Sequence, residues 1–287
     1  MGGVSEGTSR ALRECAEVDV PPVVGAAPAR WGVVRATAVT WADHTGAEHT
    51  GPPGSDLREL LPGRAIRSIS QHRGVTHTTS NYCSSTDRAS LACESWLEAR
   101  WLRLLDHDPD VVAIRTQPLI LTGTDVDGQF SHTPDVLARV RGGSARLIDV
   151  KNPTVVRHPD VLRRARLASA AAERLGWTYY LLAEPPSTRM RTVGWLSGFR
   201  RWLTGQDLFP ELLAAAAKPV RLRDLWAPFG EDVQVRPATY HLLWWHRLLM
   251  DFDSPLSERT RVWASPLPYR PPHADTDPAF ARTMMGV

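Results

Sequence analysis

Lysine is the residue that this sequence most clearly lacks. Of its 34 lysine and arginine residues, only Lys151 and Lys218 are lysines, and the other 32 are arginines. GC-rich coding favours arginine, alanine, glycine and proline, so the bias as a whole needs no functional explanation. It does make a surviving lysine informative. Lys151 stands in the segment RLIDVKNP at residues 146–153, a pattern typical of a buried strand.

Cysteines and long apolar runs are also scarce. The three cysteines, Cys15, Cys83 and Cys93, are odd in number and form no C-x-x-C spacing. This argues against a disulfide framework or a zinc site and predicts reduced thiols. No apolar run approaches the roughly 18 residues that a membrane helix needs, and the N-terminus lacks the charged start and apolar core of a secretory signal. We therefore expect a cytoplasmic protein that does not enter a membrane.

The composition predicts a folded, soluble chain. Its 287 residues are 43% hydrophobic and 23% charged, which is enough for one large or two modest domains. The net charge is +3 and the sequence pI is about 9.0. This weakly basic balance is compatible with a nucleic-acid partner but does not require one.

Three regions differ in their sequence patterns. Residues 1–65 are rich in Gly, Pro, Ala and Ser, which predicts a loosely ordered N-terminal arm with one hairpin. Residues 66–203 combine helical and strand patterns and are interpreted as the main domain. Residues 204–287 turn mostly helical and end in an irregular, proline-rich tail. Their three short helices and a hairpin would suit a small C-terminal module of winged-helix type.

The main domain shows the order helix, strand, strand, strand, helix, strand, which predicts an α/β fold. The first helix is expected within residues 93–111 and ends near an Asp-Pro pair. Three extended segments follow, and the second of them, at 132–143, ends in a Gly-Gly pair. The second helix, at 158–176, has a proline near its start and a glycine at its end. The segment WTYYLLAE after it is the last predicted strand.

Two aspartates and a lysine are predicted to meet on one hairpin. A turn at Gly142-Gly143 would fold the strand that starts at Asp135 back along the strand that holds Asp149. Residues i and i+2 of a strand point to the same face, so Lys151 shares a face with Asp149. Two carboxylates this close repel unless a cation lies between them. Hard oxygen ligands favour Mg²⁺ or Mn²⁺ as that cation.

The first helix offers a further carboxylate. On a helical wheel Glu94 and Glu98 fall inside the apolar stripe, whereas Arg100 and Arg103 fall on the other side. An uncompensated carboxylate on a buried face costs several kcal/mol, so each needs a partner. The simplest partner is a buried arginine. The alternative is that Glu98, or Glu94 in its place, joins the metal site.

Lys151 has two interpretations. As a structural residue it would lie on an edge strand and pair with Asp149. As a functional residue it would stand beside a metal ion and orient the attacking water or accept its proton, because the pKa of a lysine can shift whereas an arginine stays protonated. The combination of D-V-K at 149–151, T-P-D at 133–135 and the acid-bearing helix favours the functional interpretation.

This set of residues resembles the PD-(D/E)XK nuclease superfamily: Pro134-Asp135, then Asp149-Val150-Lys151, with a glutamate on the preceding helix. Residues 66–202 look like the TnsA-type transposon endonuclease subunit, on the segments ESWLEARWLRLLDHDPDV, TPDVLARVRGGSARLIDVKNP and LGWTYYLLAE. Gln117-Pro118 also matches the family pattern, with no firm role. The resemblance implies a restriction-endonuclease-like mixed sheet flanked by helices, and Mg²⁺-dependent hydrolysis of DNA phosphodiesters.

The resemblance also implies roles for single residues. Glu98 matches the family's helix glutamate, Asp135 its metal-binding aspartate and Lys151 its strand lysine. Asp149 stands where the best-known member has a glutamine, and so departs from that member toward the acidic residue of the wider superfamily. The three carboxylates and the Val150 carbonyl would hold one or two Mg²⁺, with Mn²⁺ as a substitute. Lys151 would position the attacking water.

The partners implied by the family are double-stranded DNA, a DDE-type transposase subunit and an AAA+ ATPase regulator. This chain would cleave the transposon 5′ ends while the transposase cuts and joins the 3′ ends. Two other functions remain open: a free-standing PD-(D/E)XK nuclease in restriction, repair or defence, and a non-catalytic DNA-binding scaffold subunit. The C-terminal module would bind either DNA or the ATPase.

Overall fold

The computed structural model describes residues 35–52, 65–66, 80–201 and 205–266. Within them the chain forms two compact units. The first unit takes the described residues up to Leu105 together with Asp110–Pro185, and the second takes Asp106–Pro109 together with those from Pro186 onward. Both helices and several sheets are present. The chain is therefore a mixed α/β protein, as the sequence patterns predict.

The first unit is built mainly from strands. Its elements are β1 (Arg35–Ala42), β2 (Glu48–Gly51), β3 (Ser80–Cys83), β4 (Ser90–Cys93), α1 (Trp96–His107) up to Leu105, β5 (Val111–Thr116), β6 (Leu119–Asp125), β7 (Gly128–His132), β8 (Val136–Val140), β9 (Ala145–Val150), α2 (Pro159–Arg174) and β10 (Thr178–Leu182). The strands β3 and β4 pair with each other as a short two-stranded sheet.

Four antiparallel strands form a sheet in the order β2-β1-β6-β7. The sequence places β1 and β2 in a separate loose arm, but pairing of β1 with β6 makes this hairpin part of the first unit. The turn of the hairpin is held by Asp43, whose Oδ1 accepts hydrogen bonds from the backbone amides of Thr45 and Ala47. The sequence does not predict β7, because its residues GQFSH include only one large apolar side chain and read as a polar connection.

The strands β10, β9, β8 and β5 form a mixed sheet in that order. β8 and β9 are antiparallel, with Val136 opposite Ile148, so the predicted hairpin is confirmed. Its turn holds Gly142 and Gly143 at φ of 89° and 91°, a conformation in which a Cβ would be strained. β9 also pairs in parallel with β10 on its other side. Lys151 directly follows this interior strand, so the edge-strand position assumed in its structural interpretation is not observed.

The main core of the first unit joins both four-stranded sheets to α2. One face of α2 is made of small side chains, which let the helix approach the strands closely. At Gly123 of β6 an added Cβ would clash with Leu167 Cδ1 and lie 2.9 Å from the backbone oxygen of Arg35, so a larger residue would force the neighbouring backbone to shift. The buried residues of this core are Ala36, Val39, Leu119, Leu121, Leu137, Ala145, Leu147, Leu167, Ala168, Ala171 and Ala172.

The helix α1 buries the apolar face that the helical wheel predicts. Its buried side chains include Trp101, Leu102, Leu104 and Leu105. The Trp101 indole N–H donates to the Ala183 carbonyl at 2.6 Å. Since Ala183 directly follows β10, this hydrogen bond joins α1 to the end of that strand.

The second unit is mostly helical. Its elements are α3 (Ser187–Leu196), α4 (Phe209–Ala215), β11 (Val220–Arg221), α5 (Leu222–Trp226), α6 (Val235–Trp244), β12 (Leu248–Leu249) and β13 (Arg261–Ala264), with short 3₁₀ turns after α3, before α4 and after α5. The three strands form a small antiparallel sheet in the order β11-β13-β12. The helix α6 ends earlier than the pattern YHLLWWHRLLM predicts, because His246 adopts a φ of 52° and the chain turns into β12.

The two units divide at Pro185–Pro186, whereas the sequence predicts a boundary between residues 203 and 204. Across the described ranges, no helix combines the length and apolar character needed to cross a membrane. Cys83 is exposed and Cys93 is buried, and neither forms a disulfide in the described structure. Cys15 and the proline-rich tail from residue 267 lie outside the described residues.

Candidate functional site

Asp135 is held at the start of β8 by two donors. Its Oδ2 accepts a hydrogen bond from the Val150 amide at 2.7 Å and another from Lys151 Nζ at 2.8 Å. Both donors lie at the end of β9, so the β8–β9 register brings them to this carboxylate. Burial, and then the charge of Asp149, raises the pKa of Asp135. The two aspartates that the sequence predicts to be neighbours therefore lie close enough for the charge of Asp149 to act on Asp135.

Lys151 lies between the two aspartates. Its Nζ is 2.8 Å from Asp135 Oδ2 and 4.0 Å from Asp149 Oδ1. Burial alone would lower the pKa of Lys151, but the charges of Asp135 and Asp149 outweigh it and raise that pKa. The ammonium therefore keeps its proton and acts as a donor. This favours the predicted role of orienting a water molecule over the role of accepting its proton.

Asp149 is the most deeply buried member of the group, with an exposed fraction of 1%. Its Oδ2 lies 2.7 Å from His132 Nε2 and accepts a hydrogen bond from the Tyr179 hydroxyl, also at 2.7 Å. Burial would raise the pKa of Asp149, but His132, Lys151 and Tyr179 outweigh it and hold that pKa below its usual range. Among the described residues, Oδ1 of Asp149 is buried without a hydrogen-bond partner.

His132 and Tyr179 are site residues that the sequence analysis does not identify. Tyr179 lies on β10, two residues before the partner of Asp149 in the β9–β10 register, and therefore on the same face. A parallel pairing of the last two predicted strands would have pointed to it. His132 ends β7, a strand that the sequence does not predict, so no local pattern places it near Asp149.

Glu98 is both a helix cap and a neighbour of the aspartates. The segment Ser95-Trp96-Leu97-Glu98 forms a capping box: Ser95 Oγ accepts from the Glu98 amide, and the Glu98 carboxylate accepts from Ser95 Oγ and the Glu94 amide. This explains why α1 starts at Trp96 rather than at residue 93. Burial, and then the charge of Asp135, raises the pKa of Glu98 to about 7.

Glu94, the other glutamate of this segment, is hydrogen-bonded to Gln117. Gln117 Nε2 donates to Glu94 Oε1 at 2.6 Å, and the Gln117 amide donates to the Asp135 carbonyl at 2.9 Å. Gln117 is buried and adopts a φ of 47°, an uncommon conformation for a residue with a side chain. It thus joins the start of α1 to the start of β8. The charge of Asp135 contributes to the raised pKa of Glu98.

The site fits a divalent cation in its chemistry and only partly in its geometry. Its donors are carboxylate oxygens, which Mg²⁺ and Mn²⁺ prefer, and one of them is a buried oxygen without a hydrogen-bond partner. In the described part of the chain, no three His, Cys, Asp or Glu side chains are already grouped closely enough to hold a metal. Binding therefore requires movement of the Lys151 ammonium away from Asp135, which it now contacts at 2.8 Å.

Comparison with known proteins does not assign the chain to a family. No family model matches the chain, and a search of curated proteins finds no significant relative.

Proposed function

We propose that the chain is a metal-dependent DNA endonuclease, a TnsA-like subunit of a heteromeric transposase that cleaves transposon 5′ ends by phosphodiester hydrolysis. The observation that carries this proposal is the position of Lys151. Its ammonium lies 2.8 Å from Asp135 and 4.0 Å from Asp149, at one end of two paired strands. Two carboxylates and a lysine in this order and spacing are what the PD-(D/E)XK resemblance implies.

Each site residue has a role in the proposed reaction. Asp135, Asp149 and Glu98 would hold Mg²⁺ together with the Val150 carbonyl. When bound, the cation would lower the pKa of a water molecule and neutralise charge on the scissile phosphate. Lys151 is protonated, so it would donate a hydrogen bond that orients the attacking water or a phosphate oxygen.

The architecture of the first unit supports the proposal. β10, β9, β8 and β5 form a mixed sheet, and both α1 and α2 belong mainly to the same unit. This is compatible with the restriction-endonuclease-like arrangement that the resemblance implies. In the second unit the order from α4 onward is helix, strand, helix, helix, strand, strand, which supports a winged-helix module. That module would contact DNA or the AAA+ regulator, and the DDE-type transposase would be the catalytic partner.

Plasmid nicking tests the proposal. Supercoiled plasmid is incubated in Mg²⁺ or Mn²⁺ with the wild type, Lys151→Ala or Lys218→Ala, each alone and with any transposase encoded beside it. Lys218→Ala is the matched control, because Lys218 is the only other lysine of the chain and is exposed. We expect nicking by the wild type and the control, and nicking that is about 10²-fold slower by Lys151→Ala.

The pattern of nicking also separates the alternatives. Dependence on the transposase supports the transposon subunit, whereas metal-dependent cutting by the chain alone supports a free-standing nuclease. If the folded wild type cuts under none of these conditions with its partner present, the nuclease proposal is wrong and a DNA-binding scaffold becomes the better account.

A further inference from the structure

The two oxygens of the Asp149 carboxylate have different surroundings. Oδ2 has two partners, the Tyr179 hydroxyl and His132 Nε2, each at 2.7 Å. Oδ1 is buried and has no hydrogen-bond partner among the described residues, and Lys151 Nζ lies 4.0 Å from it. All the hydrogen bonds of the side chain are therefore concentrated on one oxygen.

The two partners of Oδ2 come from different parts of the first unit. Tyr179 lies on β10, the parallel neighbour of β9, whereas His132 ends β7 in the other four-stranded sheet. Asp149 is thereby held from two directions. Rotation of its carboxyl group would break both hydrogen bonds inside a region where the side chain of His132 is only 8% exposed and that of Asp149 only 2%.

Placing both hydrogen bonds on one oxygen is unfavourable for a carboxylate whose only role is to stabilise the fold. A buried carboxylate has about four acceptor positions, and burial is least costly when donors reach both oxygens. Here two donors share Oδ2, and Oδ1 has none although it faces the ammonium that also binds Asp135. A positive charge is thus already drawn to the place where one cation could contact both aspartates.

We propose that His132 and Tyr179 are positioning residues that fix the Asp149 carboxylate with Oδ1 presented to a divalent cation. The inference rests on the proposed function, since it assumes that Asp149 is a metal ligand. Neither residue would contact the cation. Each acts by holding the ligand in one orientation, so that binding does not have to order it.

The test measures Mn²⁺ affinity by electron paramagnetic resonance titration of the full chain without DNA. Tyr179→Phe removes only the hydroxyl and is expected to weaken Mn²⁺ binding about 10-fold. His132→Leu is expected to weaken it by about 10- to 100-fold, and His132→Gln, which keeps a donor, to restore part of the loss. Tyr180→Phe is the matched control, because Tyr180 is the next residue of β10 and faces the opposite side. We expect no change for it.

A double-mutant cycle distinguishes positioning from a general loss of structure. In an Asp149→Asn background, Tyr179→Phe is expected to cause no further loss of Mn²⁺ affinity, because the oriented carboxylate is already gone. A purely structural effect would persist in that background, and this persistence would overturn the proposal. Thermal denaturation without metal checks that each variant is folded.

The Mn²⁺ titration distinguishes failure of the positioning role from failure of the proposed nuclease function. If the wild type binds Mn²⁺ and both Tyr179→Phe and His132→Leu bind it equally well, the positioning role is wrong while the metal site stands. If the wild type binds no Mn²⁺ and cuts no DNA, the proposed function fails and the positioning role fails with it.

Discussion

The first unit contains two groups of acidic side chains that differ in how their charge is balanced. At the end of β6, Asp125 meets Arg163 of α2 in a two-bond ion pair, with Oδ2–Nε and Oδ1–Nη2 distances of 2.5 and 2.6 Å. The guanidinium also lies over the Phe130 ring, 4.1 Å from its centroid. The pair lowers the pKa of Asp125 and raises that of Arg163. One negative charge meets one positive charge, and both oxygens have a donor.

The group around Lys151 is not balanced in this way. Three carboxyl groups, those of Glu98, Asp135 and Asp149, act on a single lysine. The pKa values of Glu98 and Asp135 are raised by burial and by the neighbouring carboxylate, and one oxygen of Asp149 lacks a donor. Such an excess of buried acid opposes folding. The Asp125 pair is thus a balanced ion pair, whereas the Lys151 group has the excess of carboxylates that the proposed metal site requires.

The largest predicted effect is on plasmid cleavage, which should depend on the Lys151 group and not on the Asp125 pair. Asp135→Asn or Asp149→Asn removes a carboxylate from the proposed metal site, and we expect plasmid cleavage to fall by about 10²- to 10³-fold or more. Asp125→Asn breaks the balanced pair without touching the site, so its cleavage rate should match the wild type at a temperature where both are folded. Equal losses in all three variants would remove the distinction between the two groups.

The next prediction separates cation binding from chemistry. Lys151→Ala removes the ammonium that competes for Asp135, so Mn²⁺ should bind at least as tightly as to the wild type. Cleavage should nevertheless fall by about 10²-fold, because the group that orients the water is lost. Isothermal titration calorimetry and a cleavage time course measure the two properties on the same sample. Loss of Mn²⁺ binding in this variant would contradict the proposed geometry.

A third prediction uses the pKa of Glu98, which is raised from its ordinary value of 4.5 to about 7. The pKa of this carboxyl group is higher in the folded chain than in the unfolded chain. Its protonation therefore stabilises the fold below the pKa of the unfolded chain, and this stabilisation is lost as the pH rises through the pKa of the folded chain. The stability of Glu98→Gln relative to the wild type should therefore increase between pH 4.5 and 7, by up to about 3 kcal/mol. Urea unfolding of the metal-free proteins across this range measures it.

Asp125→Asn gives the opposite sign and serves as the control for that experiment. The pKa of Asp125 is lowered in the folded chain. Its contribution to stability is therefore present above the pKa that it has in the unfolded chain and is lost as the pH falls. The destabilisation caused by this variant should be constant at neutral pH and shrink in acid. A flat profile for Glu98→Gln would show that the carboxyl group of Glu98 is not strained by its neighbours.

The smallest predicted effect concerns the other glutamate of α1. Glu94→Gln removes a charge but keeps the oxygen that accepts from Gln117. We expect cleavage to be unchanged and the free energy of unfolding to change by less than about 1 kcal/mol. A loss of cleavage as large as that of Asp135→Asn would identify Glu94, rather than Glu98, as the functional carboxylate.

Local patterns predicted the parts of the site that are close in sequence. The Gly142-Gly143 turn fixes the β8–β9 register, and that register brings Asp135, Asp149 and Lys151 together. The apolar face of α1 was predicted by the helical wheel in the same way. The S-x-x-E pattern at 95–98 also indicates a helix start there, which would have placed the first residue of α1 correctly.

Long-range pairing explains what the sequence did not predict. β1 pairs with β6 across about 80 residues of chain, so its place in the first unit depends on partners that no local pattern names. β7 is polar and its pairing with β6 alone defines it, so His132 could not be assigned to the site. The positive φ of Gln117 likewise comes from tertiary contacts, since glutamine has no local preference for it.

The most direct measurement is the anomalous diffraction of crystals of the wild type soaked in Mn²⁺. The account predicts an anomalous peak about 2.1–2.2 Å from oxygens of Asp135 and Asp149, including Oδ1 of Asp149, with the Lys151 ammonium displaced from Asp135. The contradicting result is the absence of a peak at these carboxylates, with Lys151 still bound to Asp135. The soak uses a Mn²⁺ concentration at which the protein cleaves DNA in solution.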